Sequence, residues 1–157
     1  MPERMLGSYQ AGERLPALAI SVDATLIVAG ALATRDFSPL HHDASYAREQ
    51  AGHRDLFLNT PTQLALIERY LCAALGPRTR IGRLRSRMSA SVYAGASLAI
   101  EATVQSADAD SAVCGWLRLE VSLTADGAPA TRCEARVAVP VDEDDDPWQR
   151  RGTEWKP

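Results

Sequence analysis

Period-two alternation dominates the second half of the chain. Leu98, Ile100, Ala102 and Val104 share one face of an extended segment, with Ser97, Glu101 and Thr103 on the other. Leu117, Leu119, Val121 and Leu123 alternate with Trp116, Arg118, Glu120 and Ser122, and Cys133, Ala135, Val137 and Val139 with Arg132, Glu134 and Arg136. Each run predicts a strand with one buried face. Asp108-Ala109-Asp110 and Asp126-Gly127 read as the turns between them, the latter a hairpin signal. A further strand fits about 80–93. The first half is mixed: a short strand over 15–22, a helix over about 24–34 capped by Asp23, and a short helix over 44–50 capped by Asp43 and ended by Gly52. The helix over 61–75 has the clearest signals. Thr60 reads as N-cap, Pro61 as first helical residue and Gln63 as the third position of a capping box. Leu64, Ile67, Leu71 and Leu75 make one apolar stripe, and Gly76-Pro77 stops the helix. One long helix against about four antiparallel strands is an α+β two-layer domain.

Composition narrows the class. At 157 residues the chain holds one domain, with 46% hydrophobic and 24% charged positions and a net charge of -3. That balance speaks against a nucleic-acid partner. No apolar run approaches a membrane span, and Met1-Pro2-Glu3-Arg4 lacks a signal-peptide pattern, so no membrane role and a cytoplasmic setting are expected. Cys72, Cys114 and Cys133 are widely spaced and fall in apolar-periodic segments, so they read as buried packing residues in a reducing compartment. No His, Cys and carboxylate spacing suggests a metal. Residues 1–141 read as the domain. Residues 142–157, with the acidic run Asp142–Asp146, read as a tail, ordered only if something holds it, and Trp148 and Trp155 are groups that could dock.

Candidate chemistry concentrates in Asp36-Phe37-Ser38-Pro39-Leu40-His41-His42-Asp43. A proline turn lets a carboxylate and an imidazole five residues apart converge on one point and hold a water for proton exchange. The competing reading has Asp36 capping backbone amides, with His41 at the surface. His42 reads as structural and His53 as a surface-loop histidine. Arg35 either depresses the pKa of Asp36 or faces solvent. Arg83, Arg85 and Arg87 alternate along a strand as a cationic stripe: a phosphate clamp, or a solvated face in a chain where sixteen of seventeen basic residues are arginine.

The stretch 36–43, followed by Tyr46-Ala47 and Gly52, resembles the hydratase motif of MaoC-like enoyl-CoA hydratases. The resemblance spans roughly 15–140 and is specific over 36–60. It implies a hotdog fold, a long central helix wrapped by an antiparallel sheet. It implies that Asp36 and His41 jointly add water to a 2-enoyl-CoA, giving a (3R)-hydroxyacyl-CoA, with coenzyme A part of the substrate and no separate cofactor. The pattern departs where the family carries His-Gly before the central helix; here the pair is Asn59-Thr60. Thr60 would then supply the backbone donor to the thioester oxygen, with Asn59 beside it. On the same implication the arginine stripe would hold CoA phosphates. Residues 31–36, 41–43, 55–59 and Arg69-Tyr70 are similar to the small subunit of bacterial steroid side-chain hydratases, which implies a bulky, steroid-derived thioester and a second MaoC-like chain; a homodimer remains the other arrangement. Two alternatives stay open. A hotdog thioesterase would need a carboxylate early in the central helix, where the first acid is Glu68. A non-catalytic acyl-CoA-binding subunit is suggested by Asn59-Thr60 and opposed by retention of Asp36 and His41.

Overall fold

The computed structural model describes residues 4–110 and 114–157. The elements are β1 (Leu18–Ser21), α1 (Ala24–Ala33), α2 (Thr60–Leu75), β2 (Arg80–Met88), β3 (Ser97–Ala109), β4 (Gly115–Ala125) and β5 (Ala128–Val139). All strand pairs are antiparallel, and the spatial order is β1-β3-β4-β5-β2. The sheet lays one face on α2, the two-layer α+β arrangement that the patterning predicts and the hotdog arrangement that the resemblance implies. Leu98, Ile100, Val104, Leu117, Leu123 and Val137 from that face join Ile67, Leu71 and Leu75 of α2 in one core. The five apolar side chains that α2 buries each contribute ~2 kcal/mol of transfer free energy.

Local chemistry sets the element ends. Asp126 and Gly127 both have positive φ (52° and 79°), which the tight β4–β5 hairpin requires. Asp23 caps α1, its Oδ1 accepting from Leu26 N at 2.7 Å. Asp43 Oδ1 accepts from Tyr46 N at 2.9 Å, and the short helix that follows is a π-type turn over Tyr46–Gln50. Helix α1 runs close to α2 at Gly30, where a Cβ would come within 2.6 Å of Thr62 Cγ2.

Several expectations change. The N-cap of α2 is Asn59, not Thr60: Asn59 Oδ1 accepts from Thr62 N at 3.0 Å, which moves Pro61 to the second helical position and removes Gln63 from the cap. The buried stripe is rotated from the apolar one. It includes Thr62, Gln63, Leu66 and Tyr70, while Leu64 is only half-buried. Strand β1 is shorter than 15–22, although Leu15 N and Val22 N still donate to Ala102 O and Ala96 O. Strand β2 ends at Met88; Val92 and Ala94 pair instead with Leu58 and Leu56. Asp108 and Ala109 belong to β3 rather than to a turn, and residues 111–113 lie outside the described residues, as do Met1–Glu3. Cys114 and Cys133 are buried, but Cys72 is exposed, because it falls on the outward side of α2. Burial pushes the Cys133 thiol up to about 11.

The segment 142–157 is held by its own chain. Arg78 Nη1 donates to Glu143 O and Asp145 O at 2.8 and 2.7 Å. Arg80 Nη1 donates to Pro147 O and Arg150 O at 3.1 and 3.0 Å, and its guanidinium lies 3.5 Å from the Trp155 ring. Trp155 packs on Trp116 at 4.9 Å between centroids, and Trp148 Nε1 donates to Thr79 O at 3.2 Å. Acids of the segment also hold it internally: Asp142 and Asp146 accept from nearby backbone amides, and Asp145 pairs with Arg150 at 2.6 Å. Among the described residues no helix is long and apolar enough to cross a membrane.

Candidate active site

Asp36 is placed by the way α1 stops. Arg35 N donates to Leu32 O at 3.0 Å and Asp36 N to Ala31 O at 2.9 Å, a Schellman closure with Arg35 in the left-handed region at φ 56°. Arg35 is exposed, and its proximity in sequence does not make it the partner of Asp36. The carboxylate instead accepts from Asn59 Nδ2 at 2.9 Å on Oδ2 and from Ser38 N at 3.2 Å on Oδ1. These two donors, Asn59 first, hold its pKa below the ordinary carboxylate value. Asp36 is therefore a carboxylate at neutral pH.

Asn59 ties three elements together. Its Oδ1 caps α2, and its Nδ2 donates to Asp36 and to Thr34 Oγ1 at 2.8 Å. The Thr34 hydroxyl in turn donates to Gly30 O at 2.8 Å. Three of the four hydrogen bonds available to the amide are made, which fixes its orientation. Sequence spacing misses this link. Asparagine's standing as a helix cap is the signal that points to it.

His41 sits on the 3₁₀ turn Pro39–His41 and is 6% exposed. Its Nδ1 is 2.8 Å from Phe57 O. A carbonyl only accepts, so Nδ1 carries the proton, and in the neutral ring Nε2 presents a lone pair. That nitrogen lies 3.4 Å from Asp36 Oδ2. Two acceptors at this distance need a shared proton, or a water that donates to both. The Phe57 carbonyl, also absent from the sequence reading, is set by the pairing of Leu56–Leu58 with Val92–Ala94. The Phe57 ring meets the His41 edge at 5.0 Å and His53 at 4.6 Å. His53 is half-buried and bonded through Nδ1 to Tyr93 Oη at 3.2 Å, so it is not a free loop residue; His42 is exposed.

Asp36 and His41 open into a cavity of 440 Å³, together with Asn59, Thr60, Gln63 and Met88. The Thr60 amide is the first of α2. Among the described residues it has no hydrogen-bond partner, and Pro61 behind it has no N–H. Its side chain contacts Met88 Sδ at 3.2 Å. The cavity thus joins a carboxylate, an imidazole and a free amide at a helix N-terminus.

The structure does not bring Arg83, Arg85 and Arg87 to this cavity. They project from the opposite face of β2, beside Arg118, Arg132 and Arg136, where an 830 Å³ depression also holds Glu120 and Glu134. The solvated-face reading describes their position.

The sequence matches no family model. It is 41% identical over 83 residues to the 3-oxo-4,17-pregnadiene-20-carboxyl-CoA hydratase beta subunit of Mycobacterium tuberculosis. The match takes in 53% of this chain, which spans 64% of that relative's length. Among solved structures, the ChsH1–ChsH2 complex of the same organism superposes with a TM-score of 0.76 at 29% identity, covering 83% of this chain and 98% of the other. An (R)-hydratase of A. caviae involved in PHA biosynthesis gives 0.76 at 22% identity over 85% and 98%. A MaoC-like dehydratase from Rhodospirillum rubrum gives 0.76 at 20% identity over 87% and 96%. These last two likenesses establish the hotdog fold.

Proposed function

We propose that the chain is a MaoC-like hydro-lyase adding water to a 2-enoyl-CoA thioester to give a (3R)-hydroxyacyl-CoA. The observation that carries this reading is the 3.4 Å approach of Asp36 Oδ2 to a His41 Nε2 whose other nitrogen is held by a carbonyl. A water between them loses one proton to the pair as its oxygen bonds to C3, and the pair returns one proton to C2. Atoms balance, and the pair ends as it began. Negative charge passes through the thioester oxygen. The Thr60 amide at the positive end of α2 is the donor for it. Asn59 acts by holding Asp36.

The acyl group is bulky and steroid-derived in this proposal, and a second MaoC-like chain completes the site, as the names of the relatives suggest. The bond from Asn59 to the Asp36 carboxylate supports the catalytic reading over the non-catalytic alternative. The thioesterase alternative lacks its carboxylate: Glu68, the first acid of α2, is exposed and lies outside the cavity lining. Mixing the protein with a 2-enoyl-CoA, alone and with any MaoC-like chain that co-purifies, tests the reading. Loss of the conjugated thioester absorbance without release of free thiol is expected. Thiol release in its place would transfer the site to thioester hydrolysis.

A further inference from the structure

Gln63 is a polar side chain where the fold has no need of one. It stands in the first turns of α2 and is 3% exposed, yet it lines the same cavity as Asp36 and His41. Its Oε1 accepts from Thr131 Oγ1 at 2.8 Å. Thr131 is itself 2% exposed and points inward from β5, in the row continued by Cys133 and Ala135. The hydroxyl could pair with either end of the carboxamide, so it is the Leu58 carbonyl, which only accepts, that assigns the nitrogen to the other end. Nε2 has two hydrogens. One reaches Leu58 O only at 3.5 Å, the outer limit of a hydrogen bond, and the other has no partner among the described residues.

A buried amide normally satisfies its donors, and an apolar pair of the same shape would fill this part of the core without cost. The geometry points to Gln63 Nε2 as a second hydrogen-bond donor of the pocket, satisfied by an oxygen of the bound acyl thioester. Thr131 is the brace that turns the nitrogen toward the cavity. The inference rests on the acyl-thioester reading above. The oxygen has two sources, the thioester carbonyl itself or a carbonyl carried farther along the acyl group.

Gln63→Met keeps the length of the side chain and removes both polar atoms; Thr131→Val removes only the brace. The protein is taken with any MaoC-like chain that co-purifies, and thermal midpoints check that each variant folds. Crotonyl-CoA, whose acyl chain has no further oxygen, is compared with a 2-enoyl-CoA bearing a ketone on its acyl chain. A loss of about tenfold in kcat/KM for Gln63→Met on both substrates assigns the donor to the thioester carbonyl. A loss confined to the ketone-bearing substrate assigns it to the acyl group. Thr131→Val is expected to move the same substrates in the same direction by a smaller factor, and it carries the test if Gln63→Met does not fold. Calorimetric binding of the matching saturated thioesters separates this inference from the hydratase reading. Absence of hydration by the wild type contradicts the latter alone. Dissociation constants and kcat/KM unchanged within twofold in both variants overturn the inference.

Discussion

Asn59 shows how much one side chain can do when its two ends differ. The oxygen serves a helix and the nitrogen serves a carboxylate, so the two roles can be separated. Serine is also a good N-cap, but its side chain does not carry the donor that reaches Asp36. Asn59→Ser is expected to leave the thermal midpoint within a few degrees while raising the Asp36 pKa toward the ordinary value near 4. The sign follows directly. A lowered folded-state pKa keeps Asp36 ionised, and its contacts intact, until pH falls through that value; without the Asn59 donor the loss begins at higher pH. The acid limb of the kcat/KM profile should therefore move up in Asn59→Ser, and an unmoved limb would contradict the assignment. Arg35 offers a second residue-scale test. It holds a left-handed conformation that costs a non-glycine residue of order 1 kcal/mol, and the residue is exposed. Arg35→Gly should stabilise the fold by up to about 1 kcal/mol in denaturant unfolding and leave the position of Asp36, hence activity, unchanged. Spacing around Pro39 allows Asp36 and His41 to converge, but it is the resemblance to the hydratase motif that favours their pairing over the capping reading. What holds each of them was not legible, because Asn59 and the Phe57 carbonyl are remote in sequence and a carbonyl leaves no trace in residue identity.

Among the elements, those defined by their own chemistry were the legible ones. The Asp126-Gly127 hairpin, the Asp23 cap and the long helix all stand where local rules put them. The errors fell where two local signals competed. Asn59 and Thr60 are both good caps, and the proline at 61 fits the first or second helical position equally well. Periodicity of apolar residues alone also misjudged the buried face of α2, since it ignored Gln63 and Tyr70. The packing of 142–157 was only half legible. Its tryptophans announced a docking segment, but the receiving groups, Arg78, Thr79 and Arg80, look like ordinary surface residues in sequence. Arg80 donates to two carbonyls of the segment and lies against the face of Trp155. Arg80→Ala should destabilise by about 1–2 kcal/mol, the sum of modest hydrogen-bond and cation–π contributions. It should also speed proteolysis within 142–157 before the rest of the chain is cut. Wild-type cleavage kinetics in the variant would show that the segment is held by other contacts.

At the scale of the molecule, period-two strands and one long helix were enough to expect a helix against a sheet. The order β1-β3-β4-β5-β2 was not, because β1–β3 and β2–β5 join segments far apart in the chain. The Pro39 turn, the first turn of α2 and the end of β2 meet at the candidate cavity. The arginine-rich depression is on the other face, which separates two features that a sequence reading had joined. The account as a whole stands on Asp36 and His41 acting as one proton-exchanging pair. The most direct measurement is the rate at which a 2-enoyl-CoA loses its conjugated absorbance with the wild type, Asp36→Asn and His41→Ala, each verified as folded. A wild-type rate that falls by about two orders of magnitude or more in both variants, as expected when an acid–base group is removed, is the predicted result. Undiminished turnover in both would contradict it.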